Sequence, residues 1–140
     1  VQAAAAGLPA GQANRYHTFP YLHEEMGAAL AAADLVVSRA GASTLGEFPL
    51  FGLPAILVPY PYAWRYQRVN AEHLCANGAA VMLVDADLNE KLADVVSGVM
   101  ENPSQMSAMR TAMHSLATPD PALQLAGLLR ELAESGGQPW

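Results

Sequence analysis

A run of small residues between an apolar stretch and a helical pattern is the first candidate for chemistry, Ser38-Arg39-Ala40-Gly41-Ala42-Ser43. Small side chains let the backbone approach a ligand closely, and the N–H groups at a helix start can bind an anion. A diphosphate suits such a turn, with Gly41, Ala42 and Ser43 closest to it. A structural explanation fits equally well, in which Gly41 makes a tight turn and Ser43 caps the helix.

Glu47 follows Ser43 by four residues, so the two side chains share one face of the predicted helix. If the helix start holds a phosphate, a carboxylate one turn further along can accept hydrogen bonds from ribose hydroxyls. The alternative is an exposed glutamate near a helix start, which is a common arrangement. Glu47 is therefore a candidate ribose ligand.

A stiff aromatic loop follows the next apolar stretch, with the sequence PYPYAWRYQ at residues 59–67. Ligands of open α/β sheets bind beyond the carboxyl ends of the strands, where this loop must lie. The amides of Gln67 and Asn70 can both donate and accept, which suits a neutral, hydroxyl-rich sugar. Asn70 has an equally good structural explanation, because it could tie the loop down. For Gln67 the ligand role is favoured.

Weaker signals come from three other places in the chain. Arg39 could neutralise phosphate, although an arginine just after a strand is more often part of a structural salt bridge. Residues 21–23 lead into a helix, and Leu22 and His23 could offer backbone groups to a base. Cys75 lies on an apolar helix face, which favours a core position. We find no Ser-His-Asp or Cys-His nucleophilic set and no metal-ligand spacing among the histidines, so neither a catalytic residue nor a metal site is expected here.

The elements that must position these residues alternate between strands and helices. The pattern predicts strands at 35–37, 54–58 and 79–84, the first of them apolar on both faces, and a further short strand at 16–19. Helices are predicted at 24–33, from 42 to a limit set by Pro49 and Gly52, at 67–76 with Asn77-Gly78 closing the helix, and at 88–100, 104–116 and 122–134. Such alternation predicts an α/β fold, a Rossmann-like parallel sheet with flanking helices. We expect one nucleotide-binding domain over 1–135, lacking the first βα unit of a doubly wound fold, and a loose tail at 136–140.

The composition is that of an ordered globular domain, with 52% hydrophobic and 14% charged residues in a chain of 140. A net charge of −6 without a Lys/Arg cluster argues against nucleic-acid binding and a polybasic membrane patch. A single cysteine excludes an internal disulfide and favours a reducing, cytoplasmic setting. No apolar run approaches the roughly 20 residues that span a bilayer.

Together these residues resemble the C-terminal domain of family 28 glycosyltransferases. The likeness covers about residues 14–100, and it is specific because several short motifs occur jointly. They are Glu24-Glu25-Met26, DLVVSRAGA at 34–42 followed by Thr44 and Glu47, GLPAILVP at 52–59, Gln67, and Asn70-Ala71.

The resemblance implies a GT-B enzyme, with this chain forming most of the donor-binding domain of an inverting UDP-GlcNAc-dependent hexosyltransferase. In the family, the glutamate matching Glu47 binds the ribose hydroxyls, and the turn matching residues 40–43 lies by the diphosphate. The glutamine matching Gln67 contacts the donor sugar, and the backbone near Leu22 and His23 holds the uracil. No metal or other cofactor is expected, since the helix dipole and loop amides offset the phosphate charge.

The resemblance also implies a lipid-linked acceptor in peptidoglycan synthesis, lipid I being converted to lipid II, and hence a part in cell shape and division. The N-terminal acceptor domain, the general base and the family's glycine-rich donor loop would lie outside this chain. We therefore expect no turnover from these residues alone. The full enzyme is expected to be cytoplasmic and peripheral on the inner face of the plasma membrane.

Other assignments stay open at this stage. One is a non-catalytic nucleotide-sugar-binding subunit that needs a separate acceptor-binding partner. Another is a GT-B glycosyltransferase with a different acceptor, or, with less support, the UDP-GlcNAc 2-epimerase. This chain also departs from the family pattern at Tyr66-Gln67, where many relatives carry His-Gln or Gln-Gln. Its recognition of the sugar hydroxyls can therefore differ from theirs.

Overall fold

The computed structural model describes residues 8–63 and 66–135, in which strands alternate with helices. Before the sheet, α1 spans Ala10–Ala13 and α2 spans Met26–Ala32. The βα units follow as β1 (Val36–Ser38), α3 (Thr44–Phe51), β2 (Ala55–Leu57), α4 (Tyr66–Ala76) and β3 (Ala80–Met82). A 3₁₀ helix (Asp85–Asp87) then leads into α5 (Leu88–Met100), α6 (Pro103–Ser115) and α7 (Pro121–Glu134).

The described strands form a parallel sheet in the order β1-β2-β3. Strand β2 is central, with Ile56 aligned to Val37 on one side and to Val81 on the other. Because the strands run in the same direction, the residues that follow them meet at one edge of the sheet, which is where ligands of such folds bind. The predicted Rossmann-like α/β architecture is confirmed.

The core lies on both faces of this sheet, as the alternation of side chains along β2 shows. Ala55 and Leu57 pack in one apolar cluster, with Phe48 of α3 and Leu74 of α4. Ile56 points the other way, into a second cluster with Val99 of α5. Helices therefore cover both faces, and every residue of β2 is buried. This rigid centre carries the loops at the sheet edge.

Helices α3 and α4 end in the same hydrogen-bonded turn, a Schellman motif closed by a glycine in the left-handed region. After α3, Gly52 has φ 57°, and Leu53 N–H donates to the Phe48 carbonyl. After α4, Gly78 has φ 73°, and Ala79 N–H donates to the Leu74 carbonyl. Both turns lead directly into the next strand. The glycines predicted to end these helices do so.

Two predictions about local structure are wrong. Residues 16–19 form no strand, because no described strand lies beside them and both Tyr16 and Phe19 are exposed. Strand β1 is not buried on both faces, since Val37 is 43% exposed. β1 has a described neighbour on one side only, so its side chains are less covered than those of β2.

Helix α7 differs from the other long helices because it has no buried residue. Its exposed leucines are Leu123, Leu125, Leu128, Leu129 and Leu132. Among the described helices, none is long and apolar enough to cross a membrane. The tail predicted at 136–140 lies outside the described residues, and so does the start of the chain up to residue 7.

Candidate functional site

The turn between β1 and α3 offers free backbone donors at a helix start. Ala42 and Ser43 are exposed, and no described residue accepts a hydrogen bond from their N–H groups. The Thr44 hydroxyl donates to the Gly41 carbonyl over 2.6 Å, and this hydrogen bond stabilises the turn. Ser43 sits at the N-cap position but its side chain makes no capping bond, so the capping alternative for Ser43 is wrong.

Gly41 is not required by the fold itself. Its φ is not in the left-handed region, and a Cβ built at this position would meet no described atom within 4 Å. The tight-turn explanation for this glycine therefore loses its physical basis. The open space above Gly41 is instead what close approach of a ligand to the backbone requires.

Glu47 lies in the first turn of α3 and is exposed. Its N–H donates to the Ser43 carbonyl over 2.8 Å, so the backbones of the two residues are joined within one helical turn. Within the described ranges, no cation or hydrogen-bond donor engages its carboxylate. The carboxylate and the backbone donors of the turn thus share one end of α3.

Gln67 and Asn70, both on α4, have different partners. Asn70 Nδ2 donates to the Ala40 carbonyl over 3.0 Å and so ties α4 to the turn after β1. This is the tie that the structural explanation for Asn70 predicts. Gln67 Oε1 accepts from the Tyr60 N–H over 2.9 Å, which joins α4 to the aromatic loop after β2.

Arg39 is engaged by protein groups, although its side chain is still partly exposed. Its Nη1 donates to the Val58 carbonyl over 3.1 Å and forms an ion pair with Asp85. Its guanidinium carbon lies 5.4 Å from the centroid of the Tyr60 ring. The structural salt bridge considered for Arg39 is present, and the phosphate role stays a prediction.

Asp85 is the residue of this network that sequence reasoning missed. It follows β3, and its partner Arg39 is 46 residues away in the chain. The available signal was its place after the third predicted strand, since the carboxyl ends of neighbouring parallel strands meet. Nothing in the spacing identified its partner.

Leu22 and His23 lie in the segment before α2, apart from the hydrogen-bonded groups described above. The His23 N–H donates to Glu25 Oε2 over 3.3 Å, and its ring lies 4.5 Å from that of Tyr21. No hydrogen bond in the described parts of the chain joins these residues to α3. Leu22 is half-buried, and its predicted role in holding a base stays a prediction.

A groove of about 1040 Å³ lies at the carboxyl ends of β2 and β3. One wall is formed by residues 59–62 of the aromatic loop, and the other by Met82 and residues 84–86. Arg68 of α4 also lines the groove. Neither Gly41–Ser43 nor Glu47 lines this groove, so these residues lie outside it. The described residues contain no cluster of His, Cys, Asp and Glu that could hold a metal ion.

Cys75 was expected in the core and is half-buried at its edge. It packs against the cluster around Leu74, and burial, with a smaller effect from Glu72, raises the pKa of its thiol. A raised pKa keeps the sulfur protonated at neutral pH, which is the opposite of what a nucleophile needs.

The fold and the surface residues together define a class, that of α/β domains with exposed backbone donors at a helix start, at the carboxyl edge of a parallel sheet. Residues 5–124 match the model of the Glycosyltransferase family 28 C-terminal domain. The chain belongs to this family.

Individual relatives agree with that assignment. The chain is 42% identical to the UDP-N-acetylglucosamine--N-acetylmuramyl-(pentapeptide) pyrophosphoryl-undecaprenol N-acetylglucosamine transferase of Roseiflexus sp. (strain RS-1), over 94% of this chain and 34% of that protein. It is 44% identical to the enzyme of the same name from Chlorobium limicola, over 82% of this chain and 32% of that protein. The crystal structure of Acinetobacter baumannii MurG superposes with a TM-score of 0.73 at 27% identity, covering 82% of this chain and 33% of the other. The chain thus spans about a third of the length of these relatives.

Proposed function

We propose that this chain is the donor-binding part of an inverting UDP-GlcNAc transferase that acts in peptidoglycan synthesis. The observation that carries the proposal is the surface at the start of α3, where no described residue engages the N–H groups of Ala42 and Ser43 or the carboxylate of Glu47 one turn further on. Relatives more than 40% identical to this chain bear the name of such a transferase.

Each part of the donor has a chemically suited partner on this surface. The diphosphate lies against Gly41–Ser43, where backbone donors and the positive end of the helix dipole oppose its charge. Glu47 accepts hydrogen bonds from the ribose hydroxyls. Gln67 faces the sugar, and backbone groups at Leu22 and His23 hold the uracil.

No metal ion has a part in this proposal. The amides and helix dipole stabilise the negative charge that develops on the leaving diphosphate, and fixed dipoles of this kind need no reorganisation during the reaction. In this arrangement Asn70 and Arg39 support the site, since the described contacts join Asn70 to Ala40 and Arg39 to Asp85.

The remaining parts of the reaction belong to the rest of a full-length enzyme. We propose that a lipid-linked acceptor, lipid I, receives the sugar through an acceptor domain and general base that this chain does not supply. Peripheral attachment to the inner face of the plasma membrane would then bring the acceptor to the donor.

Calorimetric titration with UDP tests the proposal. Glu47→Ala should weaken binding by about 1–3 kcal/mol, as expected for the loss of a hydrogen bond to a charged group. The matched control is Glu90→Ala, since Glu90 is an exposed glutamate in the first turn of α5. Equal affinity of the wild type and Glu47→Ala would refute the ribose role, and a wild type that binds neither UDP nor UDP-GlcNAc would refute the proposed function.

A further inference from the structure

Arg39 connects the ends of all the described strands. It follows β1, its Nη1 donates to the carbonyl of Val58 at the end of β2, and its charge is paired with Asp85 beyond β3. The guanidinium also lies over the ring of Tyr60. One side chain thus fixes the starting point of the aromatic loop in three ways.

These contacts act together on one short segment. An isolated, exposed ion pair contributes little, because solvent screens it and both side chains lose freedom. Here the Arg39 and Asp85 side chains are 43% and 32% exposed, and the same guanidinium holds a backbone carbonyl and an aromatic ring. By pairing with the guanidinium, Asp85 therefore orients Arg39 for its contacts with the Val58 carbonyl and the Tyr60 ring.

The aromatic loop in turn sets the orientation of Gln67. The Tyr60 N–H donates to Gln67 Oε1, so the amide oxygen faces the loop and the Nε2 group is left as the free end. No described residue accepts from Nε2. A ligand beside Gln67 therefore meets a donor, and oxygen atoms of a sugar are suitable acceptors.

We propose that the Arg39–Asp85 pair is a positioning device for sugar recognition. It holds the aromatic loop so that Tyr60 presents the Gln67 amide with Nε2 towards the donor sugar, and neither Arg39 nor Asp85 touches the nucleotide. The inference rests on the proposed function for its ligand. It gives Asp85, which follows β3, a part in selectivity for the sugar. It also means that Arg39 is not a phosphate ligand.

The test compares the affinities of UDP and UDP-GlcNAc in the same protein samples. Asp85→Asn and Arg39→Gln should each weaken UDP-GlcNAc binding by about tenfold, as for the loss of one hydrogen bond, and leave UDP within about twofold. Asp87→Asn is the matched control, because it breaks the Asp87–Lys91 ion pair in the same 3₁₀ helix and should change neither affinity. Equal weakening of both ligands by Asp85→Asn overturns the proposal, and so does an effect of Arg39→Gln on UDP that Asp85→Asn lacks.

A measurement without ligand separates this inference from the proposed function. Hydrogen exchange of the Tyr60 amide, followed by NMR, should be faster in Asp85→Asn than in the wild type and unchanged in Asp87→Asn. If the wild type binds neither ligand, the proposed function fails, and the exchange rate still decides whether the ion pair holds the loop. An unchanged rate in Asp85→Asn overturns the positioning role.

Discussion

The imidazole ring of His114 lies directly against the backbone of Gly52. Gly52 closes α3 with φ 57°, and a Cβ at this position would overlap Nε2, Cδ2 and Cε1 of the His114 ring. The contact joins the last turn of α6 to the end of α3, the helix that carries Glu47. The position of the candidate site therefore depends on a glycine for two reasons, its backbone conformation and the space above it.

Gly52→Ala should accordingly destabilise the fold more than an ordinary helix-end substitution. The left-handed conformation costs a residue with a Cβ about 1 kcal/mol or more, and the exposed His114 ring must in addition turn away from the new methyl group. The change is measured as the free energy of unfolding in urea. Gly46→Ala is the control, because Gly46 lies in the first turn of α3 with no atom within 4 Å of a built Cβ. It should stabilise the helix by up to about 1 kcal/mol.

The two causes can be separated with His114→Ala. In that background Gly52→Ala should lose the cost of the overlap and keep the cost of the backbone strain. A double-mutant cycle that gives no coupling between the two positions would contradict the contact.

Asn70 is predicted to matter for stability more than for direct contact with a ligand. Asn70→Ala removes the donor to the Ala40 carbonyl and should lower the free energy of unfolding by about 1–2 kcal/mol. Asn77→Ala is the matched control, since Asn77 Nδ2 bonds the His73 carbonyl in an exposed position, and its effect should stay within about 0.5 kcal/mol. Equal stabilities of the two variants would show that the tie between α4 and the turn contributes nothing.

Gln67 should distinguish the sugar from the nucleotide. Gln67→Ala removes both the amide donor and the bond to Tyr60, so UDP-GlcNAc affinity should fall by about 1–1.5 kcal/mol. UDP affinity should not change, and calorimetry of both ligands measures the difference. Gln124→Ala on α7 replaces another exposed glutamine and should affect neither. Weaker binding of UDP itself would place Gln67 on the nucleotide instead.

Local signals in the sequence predicted the helices and strands, but they did not predict which distant residues pair with each other. Gly52 and Gly78 end their helices as expected because a left-handed residue after a helix strongly favours glycine, whatever the rest of the fold does. The bounds of α5, Leu88–Met100, were also predicted in full. The missing strand at residues 16–19 shows the limit of this reasoning, since a strand needs a neighbour to bond with.

The candidate site was predicted as a set of residue types but not as a set of contacts. The place of Glu47 one turn after Ser43 follows from helix geometry alone. The pairing of Arg39 with Asp85 depends on how the strands line up, which no spacing reveals. The direction of the Gln67 amide likewise depends on the Tyr60 N–H, and residue type alone leaves donor and acceptor ends equivalent.

Cys75 should react with alkylating reagents at higher pH in the native protein than in the unfolded chain. Burial and the nearby Glu72 carboxylate both disfavour the thiolate and raise the pKa of the thiol, so less thiolate is present at a given pH than in the unfolded chain. The rate of carbamidomethylation with iodoacetamide, measured from pH 7 to 10 by mass spectrometry, should rise later in the native protein than in urea. Because it is the only cysteine in the chain, the modified mass is unambiguous.

The sign of the associated stability change follows from the same pKa. A thiol whose pKa is higher in the folded state favours folding fully below its ordinary pKa, and this contribution is lost as the pH rises through the folded value. Glu72→Gln removes the smaller of the two causes, so the alkylation profile should move part of the way towards the unfolded one. The substitution also breaks the exposed Arg68–Glu72 pair, which by itself should cost less than about 1 kcal/mol. Coincident profiles for native and unfolded protein would mean that burial does not protect this thiol.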